Sequence, residues 1–194
     1  MNESFTWEQA VETAGQLENL LQNPKQEALL LWLKEHFDSL QLIDAGDFVT
    51  MDFGATFDGY CSDITRTVVV GKADERQKEI YQLVYNAQVA VLDKIRPNST
   101  GKAPDEFVRS MFKKFDMEKY FGHGLGHGVG LEIHEEPRLS KLSKCESLQK
   151  NMIVTDEPGI YIENYGGVRI EDTTIIRENS AEPLTHSDKR LIEI

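Results

Sequence analysis

One segment constrains the fold and chemistry of this chain more than any other. Residues 121–137 read FGHGLGHGVGLEIHEEP, with five glycines between 122 and 130 and three of the chain's five histidines, His123, His127 and His134. Closely spaced glycines let the backbone adopt positive φ and approach a ligand, so 122–130 is predicted to form neither a stable helix nor an ordinary strand. Imidazoles serve as metal ligands, acids or bases near neutral pH. The alternative is a flexible loop with incidental histidines. The spacing differs from the HExxH of a helical zinc site.

Two aspartates flank a predicted β-hairpin turn. Asp52 and Asp63 lie on either side of Asp58-Gly59, a strong hairpin signal between two stretches rich in Val, Thr, Ile and Phe. Their separation is odd, so simple alternation along the strands does not decide whether they face the same side. Aspartate near a turn more often serves in hydrogen bonding. Spacing alone therefore makes this pair a weak candidate site.

Two glutamates occupy strand-like positions further along the chain. Glu157 precedes Pro158-Gly159, and Glu171 lies in VRIED. Burying a glutamate in an apolar strand is costly unless something compensates it, and a metal ion would. One histidine with four carboxylates is an oxygen-rich ligand set that suits Mn²⁺, Fe²⁺, Co²⁺ or Zn²⁺ in a bridged pair. Two such ions can generate a hydroxide nucleophile and polarise a carbonyl together.

The remaining pattern predicts an α+β fold in one domain, 1–194, around a largely antiparallel sheet. Asp74 is expected to cap a helix reaching about Ile95, and a second helix is expected over about 104–115. An N-terminal segment, 1–44, is expected to be helical over 7–22 and 26–40, ahead of a catalytic part at 45–194. The expected strands are 48–55, 60–70, 152–156, 160–163 and 167–177.

Charge and composition exclude some partners. The net charge of −12 repels phosphate backbones, so nucleic acid is not an expected partner. The N-terminus lacks the basic and apolar regions of a signal peptide, and the longest apolar run is too short to span a bilayer. Two cysteines, Cys61 and Cys145, fit a reducing compartment, although they could form one bridge. The expected location is cytoplasmic. His36 is interpreted as a solvated helix residue.

Four motifs in order resemble the pita-bread metallopeptidases, the group of methionine aminopeptidase, prolidase and aminopeptidase P. They are MDFG at 51–54, GYCSDITRT at 59–67, the His-Gly segment, and EPGIY at 157–161 with GVRIED at 167–172. The second motif, EPG and RIED are similar to the Xaa-Pro branch, that is, prolidase and aminopeptidase P. The resemblance covers about residue 44 to the C-terminus. It implies a curved, largely antiparallel sheet with helices on its outer face.

The resemblance also implies roles for individual residues. Asp52 would bind one of two divalent ions, Asp63 and Glu171 would bridge both, and His127 and Glu157 would bind the other. The expected ion is Mn²⁺, with Co²⁺, Zn²⁺ or Fe²⁺ as alternatives. Glu157 would also shuttle the proton of the bridging hydroxide. His123 and His134 would orient a peptide substrate with proline second and stabilise the tetrahedral intermediate. Arg169 would hold ligands in place. Arg138 would meet the substrate carboxylate, with an ordinary surface arginine as the alternative.

The chain also departs from the resemblance. The first half of the expected domain looks incomplete, the usual preceding domain is absent, and no histidine lies between His36 and His123. Asp156 stands where relatives are apolar, and it would face away from Glu157 in a regular strand. Two interpretations follow: a shortened peptidase, or a metal-binding or interaction protein without peptidase activity. A fragment of a longer protein is a third. An exposed sheet edge favours a homodimer, although the N-terminal helices could cover it instead.

Overall fold

A β-hairpin opens the part of the chain that the computed structural model describes, residues 43–194. Its long arms are β1 (Phe48–Phe53) and β4 (Ile64–Val69), which pair antiparallel. The short strands β2 (Thr56–Phe57) and β3 (Tyr60–Cys61) extend it to the turn. At the turn Asp58 has φ 48° and Gly59 has φ 83°, the left-handed pair that Asp-Gly predicts. The hairpin prediction is confirmed. The helices expected over 7–22 and 26–40, and His36, lie outside the described residues.

Two helices follow the hairpin, close to their predicted positions. The first, α1, spans Glu75–Val91, and the second, α2, spans Ala103–Lys113. Asp74 caps α1 as predicted, because its side chain accepts from the Gln77 amide while the Gln77 side chain accepts from the Asp74 amide. The helix ends at Val91, four residues before the predicted end. A short 3₁₀ turn at Glu118–Tyr120 then leads into the glycine-rich segment.

The glycine-rich segment, predicted to form neither a stable helix nor an ordinary strand, contains a strand of three residues with an irregular register. Strand β5 (Gly126–Gly128) pairs with β6 (Glu135–Leu139), with a register shift, and with β7 (Ile153–Asp156). A Cβ on Gly126 would lie 2.1 Å from the Thr155 carbonyl oxygen, and one on Gly128 would lie 2.4 Å from that of Glu136. The glycines therefore permit an unusually close approach of neighbouring backbones.

The C-terminal part is built from strands β8 to β12. Strands β8 (Gly159–Ile162) and β9 (Gly166–Arg169) form a hairpin. Strand β10 (Asp172–Ile176) pairs with β7 and with β11 (Ala181–Pro183). The single strand expected over 167–177 is thus two, because the chain leaves one sheet at Ile170-Glu171 and enters another. The last strand, β12 (Ile192–Glu193), pairs parallel with β4, the one parallel pairing among the described strands.

The core lies between the two helices and the sheets. Its fully buried members include Val84, Val91, Phe112, Leu139 and Ile170. Residues Ile43–Ile194 form one compact unit. The boundary expected at residue 44 and the single domain over the whole chain stay predictions. Among the described residues, no helix is both long and apolar enough to cross a membrane.

Candidate metal centre

The hairpin places Asp52 and Asp63 on the same face. Asp52 lies directly opposite Thr65 in the antiparallel pairing of β1 and β4. Residues opposite each other share a face, and so do residues two apart along a strand, so Asp52, Thr65 and Asp63 point to one side. In this register, every pair joins one even-numbered and one odd-numbered residue. An odd separation is therefore what a shared face requires, and this resolves the question that alternation alone left open.

Strand β5 delivers His127 to the same place. The imidazole is buried, and its Nδ1 lies 2.9 Å from the Gly128 carbonyl oxygen, which can only accept. Nδ1 therefore carries the proton, and the lone pair of Nε2 is free for a metal ion. Nε2 lies 3.6 Å from Asp63 Oδ2 and 3.4 Å from Glu157 Oε1. Burial lowers the pKa of His127, which keeps the ring neutral as a ligand must be.

The two glutamates come from the ends of the paired strands β7 and β10. Asp156 is opposite Asp172 in this pairing, and the adjoining Glu157 and Glu171 project to the other side, towards His127. Asp63, His127 and Glu171 each offer a ligand atom, and these three atoms lie within 4.8 Å of one another. Such an oxygen-rich set with one imidazole nitrogen fits a divalent cation of the manganese type.

The electrostatics of the cluster also fit a cation. Burial raises the pKa of Glu171 to about 9, with the negative charge of Glu157 as the second cause. Burial likewise raises the pKa of Glu157 to about 7, and burial and then Asp52 raise that of Asp63. The ionised form of these neighbouring carboxyl groups is unfavourable without a positive charge close by. A bound divalent ion would supply that charge.

Asp52 and Arg169 stand at the mouth of the cluster. The Asp52 side chain is half exposed, and Arg169 Nη2 lies 2.5 Å from its Oδ2. Arg169 Nε donates to Thr65 Oγ1, which donates in turn to Glu171 Oε2 at 2.5 Å. The Arg169 guanidinium thus contacts the Asp52 carboxylate directly and the Glu171 carboxylate through the Thr65 hydroxyl. That Arg169 holds metal ligands in place stays a prediction.

A cavity of about 460 Å³ adjoins the cluster, and the remaining predicted residues line it. They are His123, His134 and Arg138, together with Asp52, His127, Glu157 and Arg169 of the cluster. The His134 ring centre lies 4.3 Å from that of His127. Arg138 projects from the exposed edge strand β6 into the cavity wall. All nine residues predicted as ligands, substrate contacts or support therefore lie in or beside one site, with Asp63 and Glu171 buried next to His127.

Several site residues were missed by the sequence reasoning. Tyr161 accepts from Arg169 Nη1 at 2.9 Å, and its hydroxyl lies 2.9 Å from His123 Nε2. Thr155 Oγ1 donates to Glu157 and accepts from the His127 amide, and Thr173 Oγ1 donates to the Asp63 carbonyl oxygen. For the two threonines the available signal was position, because Thr155 lies two residues from Glu157 and Thr173 two residues from Glu171. Tyr161 is four residues from Glu157, and its place in the site follows only from the folded structure.

Asp156 faces away from the predicted metal ligands, as a regular strand requires. It is fully buried behind the sheet, where Gln88 Nε2 donates to both of its oxygens and to Asp172 Oδ2. Lys189 and Arg66 neutralise Asp172. Burial, and then the nearby charge of Asp172, raise the pKa of Asp156 well above its usual range. Its carboxyl therefore belongs to a separate polar layer behind the site.

Comparison with known proteins places this site in a family. Residues 25–178 match metallopeptidase family M24. The chain is 48% identical over 150 residues to an Xaa-Pro dipeptidase of Pyrococcus furiosus, which covers 77% of this chain and 43% of that protein. The prolidase of Pyrococcus horikoshii OT3 superposes with a TM-score of 0.75 at 46% identity, covering 78% of this chain and 44% of that one. An Xaa-Pro dipeptidase of Bacillus anthracis superposes with a TM-score of 0.77 at 47% identity, covering 80% of this chain and 44% of that one.

The chain belongs to metallopeptidase family M24. The predicted α+β pita-bread fold is thereby confirmed, and so is the predicted likeness to prolidases. The chain spans a little over two fifths of the length of these relatives.

Proposed function

We propose that this chain hydrolyses the bond before proline, in dipeptides or at peptide N-termini, with two divalent metal ions. The observation that carries the proposal is the buried convergence of Asp63, His127 and Glu171 beside an open cavity. Similarity to proteins named Xaa-Pro dipeptidase and prolidase supports the choice of substrate.

The proposed ligands are Asp52, Asp63, His127, Glu157 and Glu171. Asp63 and Glu171 would bridge the ions, Asp52 would complete one ion's ligand set, and His127 with Glu157 would complete the other's. When bound, two such ions lower the pKa of water and polarise the scissile carbonyl. Mn²⁺ is the proposed ion because four of the five ligands are carboxylates; Co²⁺, Zn²⁺ and Fe²⁺ also fit this set.

Proton transfer is assigned to Glu157. Its carboxylate lines the cavity, and the hydrogen bond from Thr155 Oγ1 to its Oε1 at 3.2 Å supports a fixed orientation. Glu157 would take the proton of the attacking water and deliver it to the proline nitrogen as the peptide bond breaks. His127 would have its Nε2 lone pair on the metal ion and its Nδ1 proton on the Gly128 carbonyl oxygen, which leaves the Glu157 carboxylate as the base beside it.

Substrate contacts are assigned to His123, His134 and Arg138. All three line the cavity, whose size lies within the usual range of small-ligand sites. The two imidazoles would orient the scissile peptide and stabilise charge on its carbonyl oxygen as water attacks. Arg138 would pair with the carboxylate of a dipeptide, a role that suits a guanidinium at an open rim.

The test is a hydrolysis assay with an Ala-Pro dipeptide, an Ala-Pro-Ala tripeptide and Ala-Ala for comparison, each with Mn²⁺. We expect cleavage before proline only, and loss of cleavage in Asp63→Asn. Asp116→Asn is the matched control, since Asp116 is exposed and has φ 57°, which asparagine tolerates. Metal binding without cleavage of either proline peptide would instead favour the alternative, a metal-binding or interaction protein without peptidase activity.

A further inference from the structure

The stretch from Phe121 to Leu125 lacks regular secondary structure, although it carries His123 into the cavity. Backbone groups in such a stretch need partners when they are buried. Three of them find partners on one helix. Arg109 Nη1 donates to the Phe121 carbonyl oxygen at 2.9 Å, and Arg109 Nη2 donates to that of His123 at 2.5 Å. The Leu125 amide donates to Asp105 Oδ1 at 3.1 Å.

These contacts involve alternate residues, 121, 123 and 125. Alternate residues of an extended chain present their backbone groups to the same side, where a neighbouring strand would normally pair with them. Here a buried ion pair takes that place. Arg109 Nε lies 2.8 Å from Asp105 Oδ2, across one turn of α2, and the two side chains are 11% and 0% exposed.

Arg109 also packs against the segment that it bonds. Its guanidinium carbon lies 4.4 Å from the centre of the Phe121 ring, and that ring meets the His123 ring edge-on at 5.0 Å. The planar fork of arginine, which can donate to two carbonyls while stacking on an aromatic ring, is what this arrangement uses. Lysine has one nitrogen and cannot reproduce it.

The His123 imidazole makes two contacts of its own. Its Nδ1 lies 2.8 Å from the Gly124 carbonyl oxygen, and its Nε2 faces the Tyr161 hydroxyl. Tyr161 is fixed by Arg169, which also reaches Asp52. A displacement of the His123 backbone would therefore break the link between the imidazole and the residues at the metal ligands.

We infer that Asp105 and Arg109 are positioning residues that hold His123 against Tyr161 at the wall of the cavity. The inference extends the proposed function, on which its kinetic consequences rest. Four of the five proposed metal ligands contact Thr65, Thr155 or Thr173, and none lies on α2. The pair therefore acts on the imidazole that lines the cavity and leaves the binding of the ions unchanged.

The first experiment is independent of activity. The imidazole resonances of His123 are recorded by ¹⁵N NMR in metal-free protein and assigned by comparison with His123→Gln. In the unmodified chain we expect one neutral tautomer, protonated on Nδ1. In Arg109→Lys we expect a mixture of the two neutral tautomers of His123, while the remaining signals stay those of the folded protein. Arg177→Lys is the matched control, because Arg177 forms an exposed ion pair with Glu182. An unchanged His123 signal in Arg109→Lys would overturn the inference.

The second experiment is a double-mutant cycle with the Ala-Pro dipeptide. We expect Arg109→Lys to lower kcat/KM about 10- to 100-fold, as small misplacements of active-site groups do. In the His123→Ala background we expect Arg109→Lys to change it by less than about twofold, since residues acting through one another are not additive. Calorimetry should give the same Mn²⁺ affinity with and without Arg109→Lys.

The outcomes separate the two proposals. Equal losses in both backgrounds, or a weakened Mn²⁺ affinity, would show a general structural role and overturn the inference. If Arg109→Lys does not fold, Asp105→Asn is used instead. The asparagine Oδ1 can still accept from the Leu125 amide, but its neutral side chain binds Arg109 more weakly than the carboxylate does. Failure of both variants to fold would also overturn it. If the chain cleaves no peptide, the proposed function fails, and the NMR result alone decides the positioning role.

Discussion

Replacing Glu171 by glutamine should stabilise the metal-free protein while removing its response to metal. Glu171 is 2% exposed, and burial beside Glu157 raises its pKa to about 9 from the ordinary 4.5. At pH 7 the unfolded chain therefore holds this carboxyl ionised, whereas the folded chain holds it protonated. Taking up that proton costs about 1.4 kcal/mol for each pH unit above 4.5, which is roughly 3 kcal/mol at pH 7.

Glutamine is neutral in both states and avoids this cost. Its side-chain oxygen can still accept from Thr65, whose hydroxyl lies 2.5 Å from Glu171 Oε2. The glutamine amide will not fit this site perfectly, so we expect a net stabilisation of roughly 2 kcal/mol without metal. For a domain of this size, that raises Tm by ~4–8 °C. With Mn²⁺ the order should reverse, because only the unmodified site gains binding energy, about 2.7 kcal/mol at a hundred times Kd.

Calorimetric melting at pH 7 in EDTA and in Mn²⁺ measures both effects. Glu146→Gln is the matched control, because Glu146 is exposed and lies outside the cluster. A lower Tm for Glu171→Gln in EDTA would refute the electrostatic reasoning, since it would mean that the glutamate stabilises the fold without metal. A metal-induced rise in Tm that survives the substitution would refute the assignment of Glu171 as a ligand.

The metal-free protein should lose stability as pH rises from about 4.5 to 7. Burial raises the folded-state pKa values of Glu157 and Glu171, so the unfolded chain releases these protons at a lower pH than the folded chain does. A free energy of unfolding in urea that does not decline across this range would contradict this. Mn²⁺ affinity should rise with pH over 5–8 because binding displaces those protons, and a flat calorimetric profile would reject the ligand set. Gly126→Ala should destabilise the fold by about 1–3 kcal/mol or more, since a Cβ would lie 2.1 Å from a backbone oxygen, whereas Gly122→Ala, with open space, should melt normally. Light scattering should give a homodimer; a 22.1 kDa mass at all concentrations would contradict this.

Local signals were sufficient for much of the fold. Asp58-Gly59 determines its own turn, and Asp74 with Gln77 forms a cap from contacts three residues apart. These interactions lie within a few residues of each other, so the sequence displays them directly. The five ligand candidates also could be chosen from sequence, but through the motifs that resemble the pita-bread metallopeptidases. Spacing alone left Asp52 and Asp63 a weak pair and did not separate His127 from His123 among the glycines.

Long-range contacts account for what the sequence did not predict. Whether 126–128 forms a strand depends on β6 and β7, and the glycines that argue against a strand are there to admit those neighbours. The break between β9 and β10 depends on an isolated bridge from Glu171 to Thr65, more than a hundred residues away. The hydroxyls of Thr65 and Thr155 become recognisable as site residues only when the pairing of the strands is known.

The most direct test of the two-metal proposal is a crystal grown with Mn²⁺ and examined by anomalous scattering at the manganese edge. The proposal predicts two peaks per chain, ~3.5–4 Å apart, with Asp63 and Glu171 touching both. Asp52 should reach one ion, and His127 and Glu157 the other. A single peak among Asp63, His127 and Glu171 that leaves Asp52 and Glu157 unbound, or no peak in this cluster, would contradict it.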